Sequence, residues 1–392
     1  MTQPDHNPPT PRDRNLAAVV AAEHQGIGRF AGLPLRLTME LTVDCNLRCP
    51  HCEFTPPRAY AAKHDPARLL YLGLDDLHKV AAAIFPHVQV VIPSVVGEPM
   101  MYPFWNEFLD LLVQHGTCVE VVTNGTYLTE DTLRRMQRPL SRLRVSMDGA
   151  SKSTFNVLRF PSDFDDVVAR LRLVRDWRRG LPPEQRPEVW IESTVMAQWI
   201  DELPQMVHLA HELQVDGLGV AHVVAYNDMW EKAHLRHQPD QSDQRFREAA
   251  AAAARLGVSL SLPKLFGTGE NLSHTAPAPL PLVPKVATPP APTGNRFYCK
   301  YLWREAFVAI NGDVAPCCGL GRPVVGNLRR NFDLGAIFMA PELVGMREGT
   351  LDGDLHPACA RCPQLAMYGN VDYRAADFRG RYGALDGMRK PK

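Results

Sequence analysis

Neither sign of charge is in excess: 43 lysines and arginines stand against 43 aspartates and glutamates in 392 residues. A balanced chain gives no electrostatic footprint for nucleic acid or an anionic membrane surface, so neither is an expected partner. Long apolar runs are missing as well, none approaching the ~18–20 residues of a membrane span. The opening MTQPDHNPPTPRDRN is polar and lacks the charged-then-apolar pattern of a secretory signal. These absences lead to the expectation of a soluble, cytoplasmic protein, in a compartment that disfavours disulfide frameworks and favours metal or redox roles for cysteine. Cysteine itself is missing from residues 119–298. The nine present form one group at Cys45, Cys49 and Cys52 and another at Cys299, Cys317, Cys318, Cys359 and Cys362, with Cys118 alone.

What is present is an alternation. Short apolar, β-branched runs at 36–42, 88–95, 118–123, 143–147, 189–195 and 217–224 are separated by helical patterns at 74–84, 104–115, 130–137, 164–177 and 201–213. That order predicts parallel βαβ units in an α/β fold, and six of them fit a partial (βα)6 TIM-like barrel better than an open sheet. A further alanine-rich helix is expected at 241–255. Residues 276–293 hold seven prolines and read as a stiff extended linker. On this reading the chain divides into a polar N-terminal extension (1–33), a barrel (34–263), a proline-rich linker (264–296), and a C-terminal region with its tail (297–392).

The first cysteine group, Cys45-Asn-Leu-Arg-Cys49-Pro-His-Cys52, follows directly on the first predicted strand. Three thiolates on one loop can wrap a single [4Fe–4S] cluster and leave one iron open for a small chelating ligand. Zinc, with His51 as fourth ligand, is the alternative, though His51 is confined between Pro50 and Cys52.

C-x3-C-x2-C at this place in a partial barrel resembles the signature of the radical S-adenosylmethionine (SAM) enzymes. Gly97-Glu98-Pro99, after the second strand, resembles that family's GGE-type motif, which contacts the amino group of SAM; Val96 replaces the first glycine. Thr123-Asn124-Gly125 resembles the TNG at the end of the third strand. Ser146-Met147-Asp148-Gly149, followed by Phe155 and Arg159, resembles the S-x-D-G…R segment, whose serine approaches the ribose and whose arginine approaches the SAM carboxylate. His51 stands where the family commonly has an aromatic residue. Each segment alone is an ordinary loop. Their succession along the C-terminal ends of consecutive strands, the rim on which parallel barrels build their sites, carries the resemblance. An ordinary SAM methyltransferase would need a glycine-rich loop where this chain has cysteines.

In the second group, Asn311-Gly312-Asp313 predicts a hairpin turn between two apolar runs, with Cys317 and Cys318 closing the second strand and Cys359-Ala-Arg-Cys362 downstream. Four such thiolates suit a second cubane or a zinc knuckle equally. Beside the first group, the segment resembles the SPASM/twitch extension of radical SAM enzymes, which holds an auxiliary [4Fe–4S] cluster. The resemblance implies Cys299, Cys317, Cys359 and Cys362 as ligands and leaves Cys318 as a structural spare or a catalytic hydrogen donor. It also implies cleavage of SAM to a 5′-deoxyadenosyl radical, hydrogen abstraction from a substrate, and a reductant such as flavodoxin or ferredoxin. The expected activity is that of an oxidoreductase that dehydrogenates a polar small molecule, a sugar or aminocyclitol, with the auxiliary cluster accepting an electron. Epimerisation and maturation of a ribosomal peptide are the alternatives, and the ~35 residues before the first strand are few for a peptide-binding domain. A decayed, non-catalytic scaffold is weighed against the intact set of Cys45, Cys49, Cys52, Glu98, Ser146 and Arg159. Glu192, His222, Tyr226 and Trp303 are candidates for the pocket wall, and Cys118 for the core.

Overall fold

The computed structural model describes residues 8–52, 69–94, 96–225, 227–274, 299–317 and 323–360. Seven parallel strands lie side by side in chain order: β1 (Arg36–Met39), β2 (Val90–Ile92), β3 (Cys118–Thr123), β4 (Leu140–Ser146), β5 (Glu188–Val195), β6 (Gly217–His222) and β7 (Ser259–Ser261). Because the order never reverses, right-handed crossovers put every connecting helix on the same side, the winding of a barrel wall rather than of a doubly wound sheet. The six expected units are present, and β7 adds a further strand.

Beyond β1 the sheet continues into the C-terminal segment. Strand β8 (Glu305–Val308) pairs parallel to β1, with Arg36 opposite Glu305 and Met39 opposite Val308. Strand β9 (Asp313–Ala315) returns antiparallel to β8, and β10 (Gly326–Asn327) antiparallel to β9. The expected hairpin turn lies between β8 and β9, with Gly312 at φ +85°. Only glycine adopts that conformation without strain.

Side chains alternate across each strand. Leu37, Met39, Val91, Val119, Val121, Leu143, Val145, Ile191, Leu218 and Leu260 join one apolar core with Leu77, Phe108, Leu112, Leu133, Leu171 and Met206 from the helices. The intervening positions, Arg36, Glu120, Arg142, Arg144, Glu188, Glu192 and Glu305, take the other face. His222 and Trp303, for which pocket wall and core packing were both open, sit in packed surroundings. His222 stacks 5.0 Å from His234 and 5.1 Å from Phe266. Trp303 is fully buried and donates its indole N–H to the Ile27 carbonyl. Tyr226 lies outside the described residues.

Residues read from sequence as a polar extension carry a helix, α1 (Pro11–Gln25), closed by a Thr10–Asp13 capping box and by Gly26 at φ +64°. Its buried stripe is Asn15, Val19, Ala22 and Glu23. Half of that stripe is polar, so apolar periodicity gives no sign of it. Of the expected linker, residues 264–274 are described and fold back on the barrel, His274 N–H donating to the Leu260 carbonyl. Among the described residues no helix is long and apolar enough to cross a membrane.

Candidate active site

The loop after β1 bears the first cysteine group and is fastened from three sides. Glu98 N–H donates to the Asp44 carbonyl (2.7 Å), and Arg48 N–H donates to the Phe160 carbonyl (2.6 Å). Asn124 Nδ2 donates to Asn46 Oδ1 (2.9 Å), while Asn124 Oδ1 accepts from the Thr126 N–H and hydroxyl. Gly97 makes the first attachment sterically feasible: it sits at φ +75°, and a Cβ there would fall 2.6 Å from the Thr42 carbonyl and 2.7 Å from that of Asp44. The three short motifs at the strand ends thus shape the cysteine loop.

Cys49 is buried, and Cys45 and Cys52 are half-buried. Cys45 Sγ accepts from the Leu47 N–H at 3.4 Å and lies 3.9 Å from Asn124 Nδ2. Burial pushes both the Cys45 and the Cys49 thiols up, Cys49 to about 11, and the thiols raise one another further. They therefore form thiolates when a cation is there to hold them. Among the described residues no three His, Cys, Asp or Glu side chains converge in a closed metal site. The donor set itself, three neighbouring soft thiols on one loop, fits an iron–sulfur cluster and leaves one iron for SAM. His51, weighed as a zinc ligand, directs Nε2 to Asp148 Oδ2 at 3.1 Å and meets Trp230 edge-on.

Besides the contact with SAM that the family resemblance implies, Glu98 has a structural task. It is 1% exposed; Oε1 accepts from the Thr123 hydroxyl (2.7 Å) and Oε2 from the Asn124 N–H (2.8 Å), tying the end of β2 to that of β3. Pro99 opens a single 3-10 turn behind it. Ser146 ends β4, half-buried and opposite Glu192. Asp148 is fully buried: Oδ1 accepts from the Thr194 N–H (2.6 Å), and Oδ2 forms an ion pair with Arg159 Nε (2.6 Å) and lies 3.1 Å from His51 Nε2. Burial alone would raise this carboxyl, but Arg159, His51 and the Thr194 amide outweigh it and hold it down at about 2. The Arg159 cation is close enough to Cys49 to work against the burial of that thiol. Asp148, Arg159 and His51 form a buried trio beside the cysteine loop. All three stand out in the sequence, but the tie between His51 and Asp148 does not.

Below this rim, the polar face of the sheet carries a ladder of ion pairs. Arg36 meets Glu305 (3.1 Å) and Glu120 (3.2 Å); Arg144 meets Glu120 (3.1 Å) and Glu192 (2.7 Å); Arg142 meets Glu188 (2.6 Å). It crosses β8, β1, β3, β4 and β5. Gly219 on β6 leaves the space that Glu192 fills, since a Cβ there would come 2.5 Å from Glu192 Oε2. Only Glu192 of this set was singled out from sequence. The available signal was charge at alternating positions of strands otherwise apolar.

In the C-terminal segment, Cys299, Cys317 and Cys359 are half-buried, with Cys299 and Cys359 against the core. Pairing of Phe307 with Ala315 carries Cys317 back toward the start of β8, the end at which Cys299 enters. Cys318 and Cys362 lie outside the described residues. Cys118 is half-buried at the start of β3.

A parallel barrel wall with three thiols on its C-terminal rim and a second cysteine group stitched to its first strand is the framework of an iron–sulfur enzyme that binds SAM. Residues 39–210 match the radical SAM superfamily, and residues 299–363 match the SPASM iron–sulfur cluster-binding domain. The chain belongs to the radical SAM superfamily and carries a C-terminal SPASM domain. These domains imply [4Fe–4S] clusters and SAM as cofactors. It is 28% identical over 182 residues to the AdoMet-dependent heme synthase of Methanosarcina barkeri, 46% of this chain and 48% of that protein. It is 29% identical over 141 residues to the mycofactocin maturase MftC of Mycobacterium tuberculosis, 36% of this chain and 34% of that one. The matched part is thus half or less of either relative's length. Streptococcus suis SuiB bound to its precursor peptide SuiA shares the fold at a TM-score of 0.57 and 14% identity, covering 91% of this chain and 75% of that one.

Proposed function

We propose that this radical SAM enzyme modifies a peptide. The observation that carries the reading is the likeness to a maturase in sequence and, over 91% of the chain, to a fold that binds a precursor peptide in SuiB. It favours a peptide over the sugar or aminocyclitol expected from the cysteine pattern. Bound at Cys45, Cys49 and Cys52, a [4Fe–4S] cluster with SAM supplies a 5′-deoxyadenosyl radical, and a second cluster in the SPASM domain supplies an acceptor for a substrate electron. The chain's own residues do the positioning. Gly97 and the Asn124–Asn46 pair hold the loop in shape, the Asp148–Arg159 pair keeps a cation beside Cys49, and the ion-pair ladder fills the floor beneath the rim. Loss of a hydrogen atom followed by an electron and a proton would be a net oxidation, for which a cluster held by the SPASM cysteines would supply the electron acceptor, so the proposed subtype is an oxidoreductase. Flavodoxin or ferredoxin is the proposed reductant and the cytoplasm the proposed location.

The test is anaerobic reconstitution with iron and sulfide, then 5′-deoxyadenosine release after dithionite, with a set of short peptides assayed against a set of sugars and aminocyclitols. The expected protein holds about eight irons, two four-iron clusters, and a peptide raises 5′-deoxyadenosine release above the uncoupled rate. The Cys45/Cys49/Cys52→Ala variant should hold about four irons and release none. Stimulation by a sugar and by no peptide would return the substrate to the small-molecule class.

A further inference from the structure

Arg347 lies in the helix Pro341–Asp352 and is fully buried. Its guanidinium sits between two rings, 4.4 Å from the Phe338 centroid and 5.1 Å from that of Phe30. Nε donates to the Leu302 carbonyl (2.8 Å) and Nη1 to the Gly28 carbonyl (2.9 Å), with Met339 Sδ at 3.7 Å; Nη2 has no partner. No carboxylate among the described residues pairs with it. Rings and carbonyls orient a cation and attract it, but they do not neutralise it, and an uncompensated buried charge is strongly unfavourable. Burial alone lowers its pKa to about 9, so it stays protonated at neutral pH.

A nearby anion would neutralise it, and the hydrogen bonds lead toward the SPASM cysteines. Leu302, whose carbonyl takes the Nε bond, donates its own N–H to the Cys299 carbonyl at 3.1 Å. Cys299 is a thiol of the SPASM cysteine group, and a cubane held by four thiolates is anionic in both oxidation states, more so when reduced. We infer that Arg347 is the counter-charge of the SPASM cluster and holds its reduction potential up, making that cluster a better electron acceptor. The inference rests on the reading that this domain holds an iron–sulfur cluster. Arg347 is then a positioning and tuning residue, acting on the substrate only through the cluster.

The test uses full-length chain carrying Cys45/Cys49/Cys52→Ala, so that the SPASM cluster alone is titrated by EPR at set potentials. Arg347→Met should keep about four irons and lower the midpoint by the equivalent of at least a tenfold change in the reduction equilibrium, about 59 mV for one electron. Arg347→Lys, which keeps the charge but not the planar fork, should stay near the parent. An unchanged midpoint in the iron-loaded Met variant, or equal shifts in Met and Lys, would overturn the inference and leave Arg347 as packing. A parent without iron would instead sink the cluster reading, and the inference with it. Should the Met variant fail to hold iron, thermal melts of Cys299→Ala, Arg347→Met and the double variant decide. The double variant should lose much less than the sum of the two, because removing the cluster strands the cation; additive losses would refute the pairing.

Discussion

At Glu98, burial raises the carboxyl from 4.5 to about 7, although the Asn124 amide and the Thr123 hydroxyl both bond to it. A carboxyl with a folded pKa above its unfolded one favours the folded state most when protonated. Its contribution is therefore full below about pH 4.5 and is lost as pH rises toward 7, a change of about 3 kcal/mol at most. Asp148 has the opposite sign. Held at about 2, it stabilises the fold at neutral pH, and that contribution is lost as pH falls from 3.8 through 2. Cluster-free protein is expected to lose stability to urea between about pH 5 and 7. Glu98→Gln should flatten that loss while leaving the acid limb that Asp148 sets. An unchanged slope in Glu98→Gln would assign the titration to another group. Both carboxylates stand in motifs visible in the sequence, because local turn chemistry fixes Gly97, Asn124 and Gly149. Which residues they pair with was not visible. Thr123 and His51 are brought to Glu98 and Asp148 by strand order, across separations that no local pattern encodes.

Among the elements, the parallel strands and the longer helices were legible wherever one face is apolar. The helix Leu74–Ile84 and β3 begin and end where periodicity puts them. Helix α1 was hidden because its inner face is made of polar groups that find partners far along the chain. Asn15 bonds the backbone at Leu33 and His87, and Glu23 takes both Nε and Nη2 of Arg304 at 2.7 Å. Glu23 is 2% exposed, and both of its carboxylate oxygens accept from that arginine. Arg304→Ala would remove two charge-assisted bonds from a buried carboxylate and should cost about 3–5 kcal/mol. Replacing both members, Glu23→Gln with Arg304→Met, should cost far less, since neither charge is then left alone. Chemical denaturation of the four proteins provides the cycle. Equal losses in the single and double variants would mean that α1 is held by its apolar contacts and the ion pair adds nothing.

At the scale of the whole molecule, the sequence suggests two units joined by a proline-rich stretch, whereas the sheet runs through both. Four residues of β8 pair with four of β1. Around that seam, Arg36 bridges Glu305 and Glu120, Arg304 holds Glu23, and Arg347 and Trp303 reach the carbonyls of Gly28 and Ile27. One apolar core contains Leu37 and Met39 together with Leu302, Ala306 and Val308. This continuity was not legible because the pairing joins strands some 270 residues apart, and the composition of 276–293 points the other way. It bears on function, since a seam of backbone hydrogen bonds fixes the first cysteine loop relative to the SPASM cysteines more firmly than a tether could. A protease site engineered between residues 275 and 298, cut after folding and cluster loading, should yield two fragments that elute together and keep about eight irons. They should part only in denaturant. Fragments that separate in native buffer would show that β1–β8 pairing does not carry the association, and the distance between the two cysteine groups would then be set by the linker rather than by the sheet.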